Sequence, residues 1–233
     1  MDRLTRKELK TDKFAQEVGH SVEYVSEHRK QVTRYGGVAL AVVVLATAVY
    51  GFMQYRRGVR EADLKAALRV QEAVVGQPGN EGLMSFATQD EKDKALVKAL
   101  NEVATKDDGS EQGAVAHYYL GAYNSDKGNM AEAGKQFKAV VDSGSKNYAS
   151  LAKLSLAAIY ESEGKQAEGE QLLRSLVDKP TIFVSKEQAT IALGKYMASY
   201  NPKEARKLLE PLRTERSAIS RVALSALAEI PQK

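Results

Sequence analysis

The sequence predicts an all-α protein, an N-terminal transmembrane helix followed by an α-solenoid of antiparallel helix pairs. Three observations carry this. Residues Tyr35 to Tyr55 form an uncharged run of 21 residues. Beyond it, apolar positions recur at helical spacing with only short breaks. Sliding the sequence against itself by 36 residues brings three columns into register. Composition agrees: 233 residues, 43% of them hydrophobic, with 17 Gly and 5 Pro, can build a core and cannot form a collagen-like or linker chain. The chain has no Cys, which excludes a disulfide framework, a thiolate metal site and a catalytic thiol.

The first segment, residues 1–34, carries eight basic against six acidic groups. The remainder carries 26 against 24, so neither part concentrates charge as a nucleic-acid interface would. Within this charged tail Phe14, Val18, Val22, Val25 and Val32 fall on one helical stripe. A helix lying on the membrane surface or on a partner and a merely solvated one both fit it.

The second segment, 35–55, reads as a membrane-spanning helix. Its apolar stretch from Gly36 to Met53 is about 27 Å long at ~1.5 Å per residue, near the ~30 Å hydrocarbon thickness. Tyr35, Tyr50, Phe52 and Tyr55 stand at the ends, and Arg34, Arg56 and Arg57 flank it. Ala46-Thr47-Ala48 also fits a signal-peptidase pattern, but the apolar run continues past it and the preceding segment is long for a signal peptide. An uncleaved anchor is therefore expected. Near the span, three basic groups precede it and five follow (Arg56, Arg57, Arg60, Lys65, Arg69), which locally disfavours a cytoplasmic N-terminus. A following part of 178 residues, however, translocates largely regardless of charge. The expected topology is N-terminus inside, C-terminal part outside.

Residues 56–112 read as a first helical pair. Val59–Val75 has Val59, Ala62, Ala66, Val70, Ala73 and Val74 on one face and stops at Gly76-Gln77-Pro78-Gly79; Asp90–Ala104 presents Leu96, Leu100 and Val103. Strand signals are scarce, Thr181-Ile182-Phe183-Val184 being the one stretch that tempts.

Residues 113–214 hold the repeat. Ala133, Gly169 and Ala205 are 36 apart, as are Phe137, Leu173, Leu209 and Val140, Leu176, Leu212. Upstream stand Leu120-Gly121, Leu156-Ala157 and Leu193-Gly194, the last pair one residue out of register. Gly128 and Gly164 fit the positive φ that ends a helix, while Asn201-Pro202 fits an N-cap followed by the first helical residue. The expected packing puts Leu120, Leu156 and Leu193 in the core and the small helix-B residues at the crossing within each pair. Phe137, Leu173 and Leu209 would fill the pocket beside them. Pro211 should end or kink the third second helix near Glu210. Residues 215–233 read as a capping helix carrying Ile219, Val222, Ala223 and Leu227.

The columns Leu120-Gly121, Gly128-Asn129, Ala133, Phe137 and Val140 resemble the tetratricopeptide repeat over roughly residues 114–213. His117 occupies the early aromatic position of that pattern, and Tyr160 alone fills the later one. The resemblance implies a right-handed α-solenoid whose first helices line a concave peptide groove. In this register the groove candidates are Tyr118, Ala122, Ser125, Leu154, Ala158, Glu161, Ile191 and Lys195. Repeats that clamp a terminal carboxylate use Lys and Asn where Tyr118 and Ala122 stand here, so an apolar or helical peptide is the better fit. Packing of these side chains inside the superhelix is the competing reading.

Signs of chemistry are few. His20, His28 and His117 have neither metal-ligand spacing nor a carboxylate companion, and the Gly-containing turns lack a phosphate-loop context. No Ser stands in a nucleophile elbow. No catalytic residue, metal or cofactor is expected, and the chain reads as a non-enzyme.

The whole layout of charged tail, single span, emerging helix (Ala62-Asp63-Leu64-Lys65-Ala66-Ala67-Leu68) and degenerate repeats resembles the bacterial ancillary subunits of the SecYEG protein translocon. That resemblance implies repeats in the periplasm, an inner-membrane location, and the translocon and periplasmic chaperones as partners. A cytosol-facing import receptor and a cell-envelope assembly scaffold remain the alternatives.

Overall fold

The computed structural model describes residues 29–76, 84–214 and 218–231. Phe14, Val18, Val22 and Val25 of the tail stripe, and Gln77, Pro78 and Gly79 of the turn after the first helix, lie outside them. The chain divides into two compact units, one ending at Gly58 and the other running from Val59.

Helix α1 spans Arg29–Glu72. Its portion in the first unit is exposed from Tyr35 to Tyr55, with Thr47 Oγ1 donating to the Val43 carbonyl at 2.8 Å, the usual way a helix interior absorbs a hydroxyl. Among the described residues α1 is the one helix long and apolar enough to cross a membrane, and none of its apolar window is buried.

The second unit begins with the rest of α1. Of the expected face Val70 and Ala73 are buried, while Ala62 and Ala66 are exposed and Ala67, with Leu64 beside it, is buried in their place. Leu64 and Ala67 share a cluster with Leu100, Val103 and Ala104 of α2 (Gln89–Lys106). A stripe set mostly by alanines has little apolar area to fix a rotation, so a small turn of the helix exchanges one alanine for another. Two ion pairs reinforce the contact, Asp63 with Lys106 and Arg60 with Asp107. α1 stops at Glu72, short of the expected Val75, because Val74–Val75 (β1) pairs in parallel with Ser85–Phe86 (β2). This two-residue bridge joins the ends of a long connection. Thr181–Val184 forms a turn instead: the Thr181 hydroxyl accepts from the Phe183 and Val184 amides, and Val184 is buried.

Six helices then alternate: α3 (Glu111–Asp126), α4 (Met130–Asp142), α5 (Lys146–Ser162), α6 (Gln166–Asp178), α7 (Lys186–Met197) and α8 (Pro202–Leu209). Each packs on its chain neighbours, and α3, α5 and α7 touch in succession. The core accordingly runs as three successive clusters along the stack. Local signals set the boundaries. Thr88 and Ser110 cap α2 and α3 through Glu91 and Gly113 amides, and Ser185 with Gln188 makes a capping box on α7. The α3–α4 and α5–α6 turns are the same turn 36 residues apart: Gly128 (φ 78°) and Gly164 (φ 74°) are left-handed, and the next amides reach back to the Asn124 and Tyr160 carbonyls at 2.8 Å. The third turn uses Asn201, whose side chain accepts from the Glu204 amide ahead of Pro202. α8 ends at Leu209 and continues as a 3₁₀ turn, Glu210–Thr214, because Pro211 supplies no amide hydrogen. Helix α9 (Ala218–Glu229) closes the stack with Ala223, Ala226 and Leu227 buried, while Val222 stays 46% exposed.

Candidate functional site

In the α3–α4 and α7–α8 pairs the small residue of the first helix receives the large residue of the second. A Cβ on Gly121 would stand 2.7 Å from the Phe137 ring, and one on Gly194 would stand 2.6 Å from Leu209. The small residue of the second helix works differently from expectation. Gly169 faces not its own pair but the next one: Tyr196 of α7 lies over it, its hydroxyl donating to the Gln166 carbonyl at 3.2 Å. The tight crossing at Gly169 is therefore between repeats. An aromatic side chain reaching back from the following pair needs a missing Cβ more than a neighbouring leucine does. Leu120, Ala133, Phe137, Leu156, Leu173, Leu193, Ala205 and Leu209 are all buried, none more than 3% exposed, and Gly121 is buried with them.

The surface carried by α3, α5 and α7 is uneven. On α3, Tyr118 is half-buried and held edge-on by Tyr119 and Tyr148, with ring centroids 6.1 and 5.4 Å away, and by Phe137 at 5.7 Å. Tyr148 in turn meets Phe183 at 5.4 Å, and burial raises the phenol pKa of both Tyr118 and Tyr148. This aromatic row fastens the α3–α4 pair to the α5–α6 pair. Ala122 and Ser125 are half-buried, Ala158 and Glu161 are exposed, and Leu154 packs against the C-terminal core cluster. His117 is bonded through Nδ1 to Gln136 Oε1 at 2.7 Å.

At the C-terminal end Ile191 and Lys195 come together with residues the sequence reading did not single out as a site. With Gln188, Ala192, Ala218, Ile219 and Val222 they line a predominantly apolar cavity of about 440 Å³ between α7 and α9. Lys195 also stands 3.8 Å from Glu229 across the same gap. The helical spacing of Ile219 and Val222 in the capping helix carries the signal, and Ala218 stands beside them. The arrangement can hold an apolar side chain or a short helical segment.

The neighbouring junction of α6 and α7 is polar. Glu170 accepts from Arg174 Nε at 2.6 Å and from the Tyr200 hydroxyl at 2.9 Å. The arginine, then the phenol, hold the carboxyl below the usual carboxylate range, while burial and the carboxylate push the Tyr200 phenol up. Among the described residues no group of three or more His, Asp or Glu side chains could hold a metal ion.

No curated protein and no solved structure matches this chain significantly. One family model does. It begins near the start of α1 and ends in the first turn of α7, so the third pair and α9 lie beyond it and their kinship rests on the packing just described. Matching residues 32–188, about two thirds of the sequence, to the tetratricopeptide repeat-like domain, the chain belongs to that family.

Proposed function

We propose that this protein is a membrane-anchored, non-enzymatic module that docks other proteins. Domains of the tetratricopeptide repeat-like family serve protein–protein interaction, and that coarser role stands on the family match. The finer reading is an accessory or scaffold factor of the protein translocon that engages periplasmic chaperones. In it, α1 spans a bacterial inner membrane with the N-terminus cytoplasmic and the repeats periplasmic. The observation that carries it is the exposure of every large apolar side chain from Tyr35 to Tyr55. A helix apolar on all sides and unpartnered in the fold is suited to lipid. The translocon and the chaperones enter through the resemblance in layout alone.

The test is topology. Single Cys residues at Ser110 and separately at Thr11 are probed with an impermeant thiol reagent in cells with a permeable outer membrane. Labelling at 110 alone supports the reading, and photocrosslinks from Ala158 or Lys195 to translocon subunits or chaperones then separate it from an envelope-assembly scaffold of the same topology. Labelling at 11 alone supports the cytosol-facing import receptor, which the five basic groups after the span favour. One of the five, Arg60, lies against the buried Asp107 carboxylate inside the folded unit, which weakens that argument.

A further inference from the structure

Away from the helix surface discussed above, a cavity of about 460 Å³ lies between the α4–α5 turn and the C-terminal end of α6. Its charged side chains are all of one sign: Lys146 and Lys153 from α5 and Lys179 from the segment after α6. None of the three makes a salt bridge among the described residues, and no carboxylate lines the cavity. The nearby Asp142 is paired with Lys138 at 2.9 Å. Lys153 is half-buried and gives one hydrogen bond, to Ser175 Oγ at 2.9 Å. Burial, then the positive charge of Lys179, lowers its pKa, as expected of ammonium groups that share a site without a counter-ion.

Two further features point the same way. Ser145 lines the cavity as the N-cap of α5, is only 6% exposed, and its hydroxyl is buried with no hydrogen-bond partner. An N-cap serine usually accepts from the helix it begins, and this one does not. A buried unpaired hydroxyl is costly unless something else bonds to it. In addition, α5, like α1 and α9, has no acidic residue in its first turn, whereas the helices packed around it, α4, α6 and α7, each have one. The positive end of its dipole is left for another anion.

We propose that this cavity binds a phosphate monoester. Its phosphoryl oxygens would be received by Lys146, Lys153, Lys179 and the Ser145 hydroxyl at the N-terminus of α5. Its organic part would lie against Val141, Leu176 and Pro180. A single carboxylate would leave two of three ammonium charges uncompensated, whereas a phosphate monoester brings about −1.5 to −2 charges and three acceptor oxygens. The volume is that of a small organic ligand rather than of a lone oxyanion.

The test titrates the full chain, held in a neutral detergent, with phenyl phosphate, inorganic phosphate and acetate by calorimetry. Phenyl phosphate should bind more tightly than inorganic phosphate, and acetate should bind least. Replacing the exposed pair, Lys146→Gln with Lys179→Gln, should weaken phenyl phosphate binding by about tenfold or more, the scale of losing charge-assisted contacts. Ser145→Ala should weaken it less, and the melting temperature of the lysine double variant should not fall. Failure of phenyl phosphate to bind, acetate binding as tightly, or a lysine double variant that binds like the parent would each overturn the proposal. Equal affinity for inorganic and phenyl phosphate would overturn the ester.

Discussion

The two stretches of α1 share one helical backbone and differ in what their side chains meet. From Tyr35 to Tyr55 the large apolar residues are each 56–71% exposed, as they would be on a helix standing alone. From Val59 onward the helix carries Glu61, Asp63, Lys65, Arg69 and Glu72, yet buries Ala67 and Val70. Apolarity and burial within the protein thus run in opposite directions along one element. An all-round apolar helix presents no face that a single groove could cover, so it calls for a surrounding apolar medium. An amphipathic one calls for a neighbour.

The comparison breaks if the first stretch does not need lipid. Two arginines in its middle, Val42→Arg with Leu45→Arg, should disfavour insertion by about 5–7 kcal/mol on a translocon scale of ~2.5–3.5 per arginine. The expected outcome is loss of resistance to alkaline extraction from membranes, with the melting temperature of the Val59–Lys233 unit unchanged. A variant that stays in the membrane pellet would mean that the stretch is held there by something other than its apolar surface.

The second unit should respond in the opposite sense. Phe137→Ala removes a ring that is 2% exposed and packed over Gly121, and should cost about 3–5 kcal/mol in urea unfolding. Leu45→Ala, an equally apolar deletion in the first stretch, should leave that unfolding curve where it was. A neutral Phe137→Ala would show that the 36-residue register does not describe the packing.

That register was legible because a repeat writes its packing three times. Leu120, Leu156 and Leu193 each begin the same crossing, and the turns at Gly128 and Gly164 use the same backbone bonds. Pro211 was legible because a missing amide hydrogen acts locally. What the sequence hid were choices settled by contact at a distance. The packing against α2 chose Ala67 and Leu64 over Ala62 and Ala66 to stand with Val70, and β1–β2 pairing of residues a loop apart cut the helix short at Glu72. The candidate groove was hidden in the same way. Helix periodicity places Tyr118 on a first-helix face, but only the fold shows that Phe137 and Tyr148 pack against it. The cavity beside α9 depends on Ala218, Ile219 and Val222 meeting Ile191 from another helix.

Smaller effects sharpen the account of the repeats. Gly121→Ala and Gly194→Ala each place a methyl group under 3 Å from a buried side chain, and overpacking of this kind should destabilise by about 1–3 kcal/mol. Gly134, also inside a helix, has nothing nearer than 3.9 Å to a built Cβ. Gly134→Ala should therefore stabilise by about 0.5–1 kcal/mol, by restricting the unfolded chain and improving helix propensity. Unfolding curves that move the same way for all three would show that the small columns reflect composition rather than close approach.

The smallest expected effect lies at the α6–α7 junction, where Glu170 joins Arg174 to Tyr200. Its carboxyl titrates below the usual range in the fold because Arg174 and Tyr200 favour the charged form. A group whose folded pKa is depressed contributes stability above its unfolded pKa and loses it as pH falls through the folded value. The glutamate side chain is 25% and the arginine 44% exposed, so solvent screening keeps the contribution below about 1 kcal/mol. Glu170→Gln should accordingly melt slightly below the parent at neutral pH, and the difference should vanish under acid conditions that protonate the carboxyl. Because Gln can still accept from Tyr200, a difference that persisted in acid would assign the effect to packing at the junction rather than to the ion pair.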